Sequence, residues 1–254
     1  MSYQVLARKW RPKSFAQMVG QEHVVRALSN ALDQQRLHHA YLFTGTRGVG
    51  KTTLGRIIAK CLNCETGITS QPCGVCSACT EIDRGRFVDM IELDAASNNS
   101  VEDIRSLIDQ VRYPPQFGKF KVYIIDEVHM LSNAAFNAFL KTLEEPPAYA
   151  IFILATTEKH KVIPTILSRC QIFDFNRIQI SDIANHLKKI AKHENIPTED
   201  EALHLISQKA DGALRDALSI FDLMVTYSSG KGVTFKDTLA NLHILDYDYY
   251  FKVI

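Results

Sequence analysis

"AYLFTGTRGVGKTTLGRIIAK", residues 40–60, decides the fold. An apolar run, Tyr41 to Phe43, leads straight into Gly45-x4-Gly50-Lys51-Thr52, and a helical pattern follows. Strand, glycine-rich loop and helix in that order are the context a phosphate-binding loop requires. Glycines let the loop turn tightly so that its amides point inward at phosphate oxygens, and the positive end of the following helix adds to the attraction. The residues expected to hold a nucleotide are therefore Gly45, Thr46, Arg47, Gly48, Val49, Gly50, Lys51, Thr52 and Thr53. Lys51 is expected to reach the β- and γ-phosphates of ATP, and Thr52 to place its hydroxyl on Mg2+.

A second strand signal, "KVYIIDEVHML" at 121–131, is an apolar run from Val122 to Ile125 that ends in Asp126-Glu127. The carboxyl ends of parallel strands are where α/β folds bind ligands. Asp126 is placed to hold Mg2+ through water, and Glu127 to polarise a water attacking a phosphoryl group. A third run, "AIFILATTE" at 150–158, ends in Thr156-Thr157. Hydroxyls there either reach a γ-phosphate or the attacking water, or cap the strand end.

With 254 residues the chain has room for two modest domains. Hydrophobic residues make up 46% and charged residues 22%, the balance of a soluble protein. No apolar run approaches the roughly 20 residues of a membrane span. The start, "MSYQVLARKWRPKSF", carries no apolar stretch behind its basic residues, unlike a secretory signal. A cytoplasmic protein without membrane contact is expected. Lysine and arginine total 29 against 28 acids, a net charge of +1, so any DNA contact must be local rather than a matter of bulk charge.

Six cysteines fall at 61, 64, 73, 76, 79 and 170. In a reducing compartment such clustering points to metal rather than disulfides. Cys64, Cys73, Cys76 and Cys79 supply four thiolates, with Gly67, Pro72 and Gly74 allowing the turns that let them converge. Zinc held by four sulfurs has no open position and is structural. A C-x2-C-x2-C run also suits an iron–sulfur cluster, the chemical rival. Cys61, on the end of the helix after the phosphate loop, and Cys170, at a strand start, read as buried thiols.

Taken together these pieces resemble the AAA+ ATPase subunits of bacterial clamp loaders. The resemblance rests on "ARKWRPKSFAQMVGQEHVVRAL", "HHAYLFTGTRGVGKTT", the four cysteines, "DEVHMLSNAAFNAFLKTLEEPP", "LATTE" with "ILSRC", and "GALRDALS". It implies an α/β P-loop NTPase with a five-stranded parallel sheet, a small four-cysteine zinc module inserted in it, and a three-helix lid. It implies that Thr157 senses the nucleotide between the phosphate loop and the acid strand. Arg169 becomes an arginine finger reaching into a neighbouring subunit's ATP site, and Arg215 a second sensor on the lid. A guanidinium suits both arginine roles, since it is always charged and matches phosphate oxygens bidentately. The implied partners are the other clamp-loader subunits of a pentamer, the sliding clamp, primed DNA and the polymerase core. The chain itself is then an ATPase within the polymerase holoenzyme and not the polymerising subunit, and the sequence leaves open whether these 254 residues alone are monomeric.

Strands are expected near 40–43, 88–93, 121–125, 151–155 and 171–175, alternating with helices, which calls for a parallel sheet covered on both faces. Residues 1–178 form the nucleotide domain, with the zinc module at about 61–82. Residues 179–240 form the lid, and 241–254 begin a third, oligomerising domain. Ser132 caps a helix that Pro146-Pro147 stops, with Phe136, Phe139, Leu140 and Leu143 on one face. In the lid, Ser181 caps a first helix, Thr198 with Glu201 forms a capping box for a second that Gly212 closes, and Leu214, Leu218, Phe221 and Val225 face inward on a third. The stretch "SSGKG" reads as a loop. In "ASNNSVEDIR", Ser100 and Asp103 form a capping box, and Asn98, Asn99 and Arg105 are candidate donors to a DNA backbone.

Three other kinds of protein share parts of this pattern. A helicase shares the acid pair but needs two motor domains of comparable size, and only one sheet fits. A zinc-lidded nucleotide kinase needs an acceptor pocket in place of the acid pair. An inert scaffold subunit has no need of Lys51, Thr52, Asp126 and Glu127 together.

Overall fold

A computed structural model of the chain describes residues 4–98, 100–228 and 232–242. Its helices are α1 (Leu6–Lys9), α2 (Glu22–Asp33), α3 (Lys51–Asn63), α4 (Ser77–Arg84), α5 (Val101–Val111), α6 (Asn133–Glu144), α7 (Pro164–Leu167), α8 (Ile180–His193), α9 (Asp200–Lys209), α10 (Leu214–Tyr227) and α11 (Phe235–Asn241). The strands are β1 (Ala40–Thr44), β2 (Met90–Asp94), β3 (Lys121–Asp126), β4 (Ala150–Thr156) and β5 (Gln171–Asp174). None of these helices is long and apolar enough to cross a membrane. The chain divides into two units, Pro12–Asn176 and a second that joins residues 1–11 to 177–254.

In the first unit all strand pairings are parallel, in the order β2-β3-β4-β1-β5. Alternate side chains of a strand point to opposite faces, and the core obeys this period. Tyr41, Phe43, Ile124, Ile153 and Ala155 pack under α2, α3 and α4. Leu42, Tyr123, Ile125, Phe152 and Leu154 pack under α5, α6 and α7. Burying each large apolar side chain is worth about 1.5–3 kcal/mol, so the sheet holds itself by both faces. On α6, Ser132 accepts from the Ala135 amide, and Phe136, Phe139 and Leu143 are buried while Leu140 is half-buried. Phe139 meets Phe152 edge-on at 5.2 Å between ring centres.

The parallel topology puts the carboxyl ends of β1, β3 and β4 side by side. Thr44 pairs with Thr156, and β4 lies between β1 and β3. Three sequence motifs therefore converge on one edge of the sheet, which strand order alone arranges.

The helical unit departs from the sequence expectation in several places. Residues 4–11, which the motif grouping kept with the nucleotide domain, belong here: Leu6 is buried, Lys9 pairs with Glu194, and the Trp10 indole donates to Glu194 at 2.9 Å. Ser181 is not a cap; α8 starts one residue before it, with Gln179 in the cap position and no side-chain bond. Thr198 and Glu201 form no capping box, because Thr198 pairs with Val233 in an isolated bridge and Pro197 and Glu199 exchange backbone bonds with Val233. Their backbone is committed to an extended pairing, so α9 begins at Asp200. On α10, Met224 rather than Val225 completes the buried face with Leu214, Leu218 and Phe221. A fourth helix, α11, follows, capped by Thr234 and packed against α9. The centre of the expected loop 228–232 and most of the expected third domain, 243–254, lie outside the described residues.

Candidate nucleotide site

The phosphate loop has the geometry its glycines permit. Gly45, Gly48 and Gly50 all have positive φ, and a Cβ on Gly45 would lie 2.6 Å from the Phe175 carbonyl oxygen, too close for any other residue. Val49 is buried in the core and anchors the loop, while Arg47 is exposed. Gly50 occupies the cap position of α3 without a side-chain bond, so the first amides of the helix remain available to an anion. Thr53 is buried in that first turn.

Lys51 is buried, and its ammonium donates to the carbonyls of Gly45 at 2.7 Å and Thr46 at 2.9 Å. Burial lowers its pKa, and the carboxylates of Glu127 and Asp126 oppose that shift. The Thr46 hydroxyl oxygen is buried with no hydrogen-bond partner, an orphan that an incoming phosphate oxygen with its water would satisfy. Thr52 Oγ1 donates to Asp126 Oδ2 at 2.7 Å. Two hard oxygens at that separation suit Mg2+ with the rest of its shell filled by water and phosphate. The residues present therefore fit both ATP and its metal.

Glu127 sits immediately beyond β3 in the left-handed region, φ 48°, a conformation that costs a non-glycine residue free energy and recurs at functional sites. Its Oε2 accepts from the Thr157 amide at 3.2 Å and the Thr157 hydroxyl at 3.0 Å. The two threonines have separate duties: Thr157 meets the acid, and Thr156 is buried against His129. The sequence pattern marks neither Glu158 nor His129, which stands two residues after the acid pair with nothing local to set it apart.

Relatives fix what this geometry belongs to. The family profile described as "DNA polymerase III, delta subunit" matches residues 20–179, and the one described as "DNA polymerase III clamp loader subunit, ATPase lid domain" matches residues 182–230. DNA polymerase III subunit gamma of Buchnera aphidicola subsp. Acyrthosiphon pisum is 47% identical over 251 residues, 99% of this chain and 69% of that protein. DNA polymerase III subunit tau of Escherichia coli K12 is 56% identical over 248 residues, 98% of this chain and 38% of that protein. The chain belongs to the DNA polymerase III gamma and tau subunit family. It spans about 38% of the length of the tau relatives. The profile naming a delta subunit covers only the nucleotide unit, whereas the gamma and tau relatives align through the lid, so the latter decide the family. Among solved structures, the Thermotoga maritima RuvB Holliday junction branch migration motor superposes with a TM-score of 0.68 at 22% identity, covering 93% of this chain and 73% of that one. That likeness concerns the fold.

The four clustered cysteines run from Cys64, at the end of α3, to Cys79, in the first turn of α4. Ligand atoms of Cys64, Cys73, Cys76 and Cys79 all fall within 4.8 Å of one another. Four thiolates around one zinc ion at about 2.3 Å stand roughly 3.8 Å apart, so the set is ready for a single tetrahedral ion. Amide donors already point at the sulfurs: Cys73 N–H at Cys64 Sγ (3.3 Å), Cys76 N–H at Cys73 Sγ (3.4 Å) and Cys79 N–H at Cys76 Sγ (3.5 Å). Burial raises the pKa of the Cys64 thiol, but hydrogen bonds from Thr66 and Cys73 outweigh it and bring the thiol down to about 6. Cys76 is lowered in the same way, while burial pushes Cys79 up. Cys61 is fully buried and Cys170 partly so, and burial pushes both thiols up to about 12, as befits packing residues. Lys60 staples the flanking helices, its buried ammonium 2.8 Å from Asp83.

Arg169 follows α7, pairs with Glu144 and donates to the Thr165 carbonyl. Arg215, in the first turn of α10, is exposed and makes no ion pair among the described residues. Ser100 and Asp103 form the full capping box of α5. The Asn98 amide donates to the Asp94 carbonyl and Arg105 is exposed, while Asn99 lies outside the described residues.

Proposed function

We propose that this chain is the ATP-hydrolysing part of a clamp-loader subunit. Binding and hydrolysis of ATP by it drive the loading of the ring-shaped sliding clamp onto primed DNA within the DNA polymerase III holoenzyme. The observation that carries this reading is the meeting of Thr52 with Asp126 at 2.7 Å, beside the Lys51 ammonium and the Glu127–Thr157 pair, at the ends of three adjacent strands. A helicase or kinase reading draws no support from the relatives.

In this scheme Lys51 exchanges the loop carbonyls for β- and γ-phosphate oxygens, with the loop amides from Gly45 to Thr53 closing round the chain. Thr52 and Asp126 would hold Mg2+, which would supply neutralisation of the phosphate charge. Glu127 polarises the attacking water; the oxygen joins the γ-phosphorus, its proton passes by way of Glu127 to the phosphate product, the bond to the β,γ-bridging oxygen breaks, and ADP and phosphate leave. Thr157 has the γ-phosphate as an alternative partner to Glu127, so nucleotide state resets the acid. Arg169, released from Glu144, completes the pocket of a neighbouring copy, and Arg215 reports the nucleotide to the lid. In such a machine the γ-phosphate selects one arrangement of subunits and hydrolysis erases the preference.

Cys64, Cys73, Cys76 and Cys79 hold a structural zinc ion, since their sulfurs lie within the span of one ion, whereas a cluster of several irons spreads its ligands further apart. The start of α5, with Asn98 and Arg105, supplies donors to the DNA backbone, as does the candidate Asn99. A third domain beginning near residue 241 gathers the subunits into a pentamer and reaches the polymerase core, and the whole works in the cytoplasm. The test is ATP turnover by the full-length subunit with its companions, clamp and primed DNA. Turnover rises on assembly, and Arg169→Ala leaves ATP bound while slowing hydrolysis by about 10³-fold. Equal turnover by an isolated copy, or by Arg169→Ala, removes the role of the neighbour.

A further inference from the structure

Around the acid pair runs a chain of polar contacts that the scheme above leaves unused. His129 lies in the short turn Val128–Met130 directly after Glu127, and its side chain is only 5% exposed. Nδ1 is 2.9 Å from Thr156 Oγ1 and 3.4 Å from Glu127 Oε2. On the other side of the ring, Nε2 is 3.3 Å from Glu158 Oε1. Thr156, itself fully buried, also accepts from the Glu158 amide at 3.0 Å. The imidazole thus bridges the turn that follows β3 and the turn that follows β4.

We propose that His129 is a positioning residue for Glu127. The inference rests on the reading of Glu127 as the group that polarises the attacking water. A glutamate has three rotatable side-chain bonds, and a carboxylate free to swing holds a water poorly. Oε2 of Glu127 is met by Thr157 from the end of β4 and by the His129 ring from its own turn. When Thr157 turns to a phosphate, the ring remains as the fixed neighbour of that oxygen. Its contact with Thr156 ties its place to the sheet. Glu158 orients the ring from the far side, as an acid orients an imidazole in many active sites. Displacing a reacting group by about 1 Å costs on the order of 100-fold in rate, so this tether acts on turnover and not on binding.

Two substitutions separate the ring's duties in the full-length subunit assembled with its companions. His129→Phe keeps the ring and removes both nitrogens; His129→Asn keeps a polar atom within reach of Thr156 and Glu127. The Phe variant is expected to lower kcat by about 10- to 100-fold with ATP affinity within about twofold of the parent, and Asn to recover most of the loss. Parent-like kcat in the Phe variant overturns the proposal, as does a loss of ATP affinity that matches the loss of rate. Should the Phe variant not fold, His129→Gln, which reaches Glu158 but not Thr156, takes its place under the same criteria. Lys51→Ala run alongside keeps the two readings apart. Hydrolysis surviving in that variant discards the nucleotide site itself, whereas a dead Lys51→Ala beside a parent-like His129 variant discards this inference alone.

Discussion

The nucleotide site and the cysteine module are both compact polar constellations, and they are built in opposite ways. Thr52 and Asp126 lie 74 positions apart and Glu127 and Thr157 lie 30 apart, and only the strand order brings them together. The four cysteines fall within residues 64–79 and converge through local turns and amide–sulfur bonds. The first constellation is therefore as good as the core beneath it. The second is closed by local turns, with Cys64 and Cys79 buried, and four thiolates held so close would repel one another unless a cation neutralised them.

The sharpest way to break this comparison is Lys51→Ala. The ammonium is the buried charge at the centre of the topological site, and its loss is expected to weaken ATP binding by more than about 100-fold, read by titration with a fluorescent ATP analogue; charged hydrogen bonds of this kind are each worth about 1.5–3 kcal/mol, and Lys51 makes several to a triphosphate. A normal affinity in that variant discards the site. Removing the module's metal is the complementary perturbation. Metal analysis is expected to find about one zinc per chain, and Cys76→Ser or chelation to release it. Hydrogen exchange then rises across residues 64–80 while ATP affinity stays within about twofold, because the two constellations share no residue. An iron signal reopens the choice of metal, and a collapse of nucleotide binding shows that the module supports the site after all. The smallest effect expected is that of Ser100→Ala. It removes one half of the α5 capping box and lowers stability in urea by about 1 kcal/mol, with nucleotide affinity unchanged.

Legibility followed the same division. The five strands, the phosphate loop, the acid pair and the cysteine cluster were readable because each is a local pattern of period, turn residue or spacing. The Ser100 and Ser132 caps were readable for the same reason. Thr198 looked like a cap by the same rule and is not one, since the bridge to Val233 takes its backbone first. His129 passed unremarked because nothing in "DEVHML" distinguishes a histidine bridging two acids from one that fills the core.

By itself, then, the sequence determined the five strands, the glycine-rich loop that follows one of them and the acid pair at the end of another, and which four thiols cluster. Tertiary structure alone decided that residues 4–11 join the helical unit and that Thr157, not Thr156, meets Glu127. It also decided that buried Asp89 and Asn63 serve to bind the backbone amides of residues 116–120. The reason is physical. Periodicity and capping are set by neighbours a few bonds away, whereas the partner of a buried polar group depends on which distant segments the sheet order and its two apolar faces bring within 3 Å, roughly the reach of a hydrogen bond.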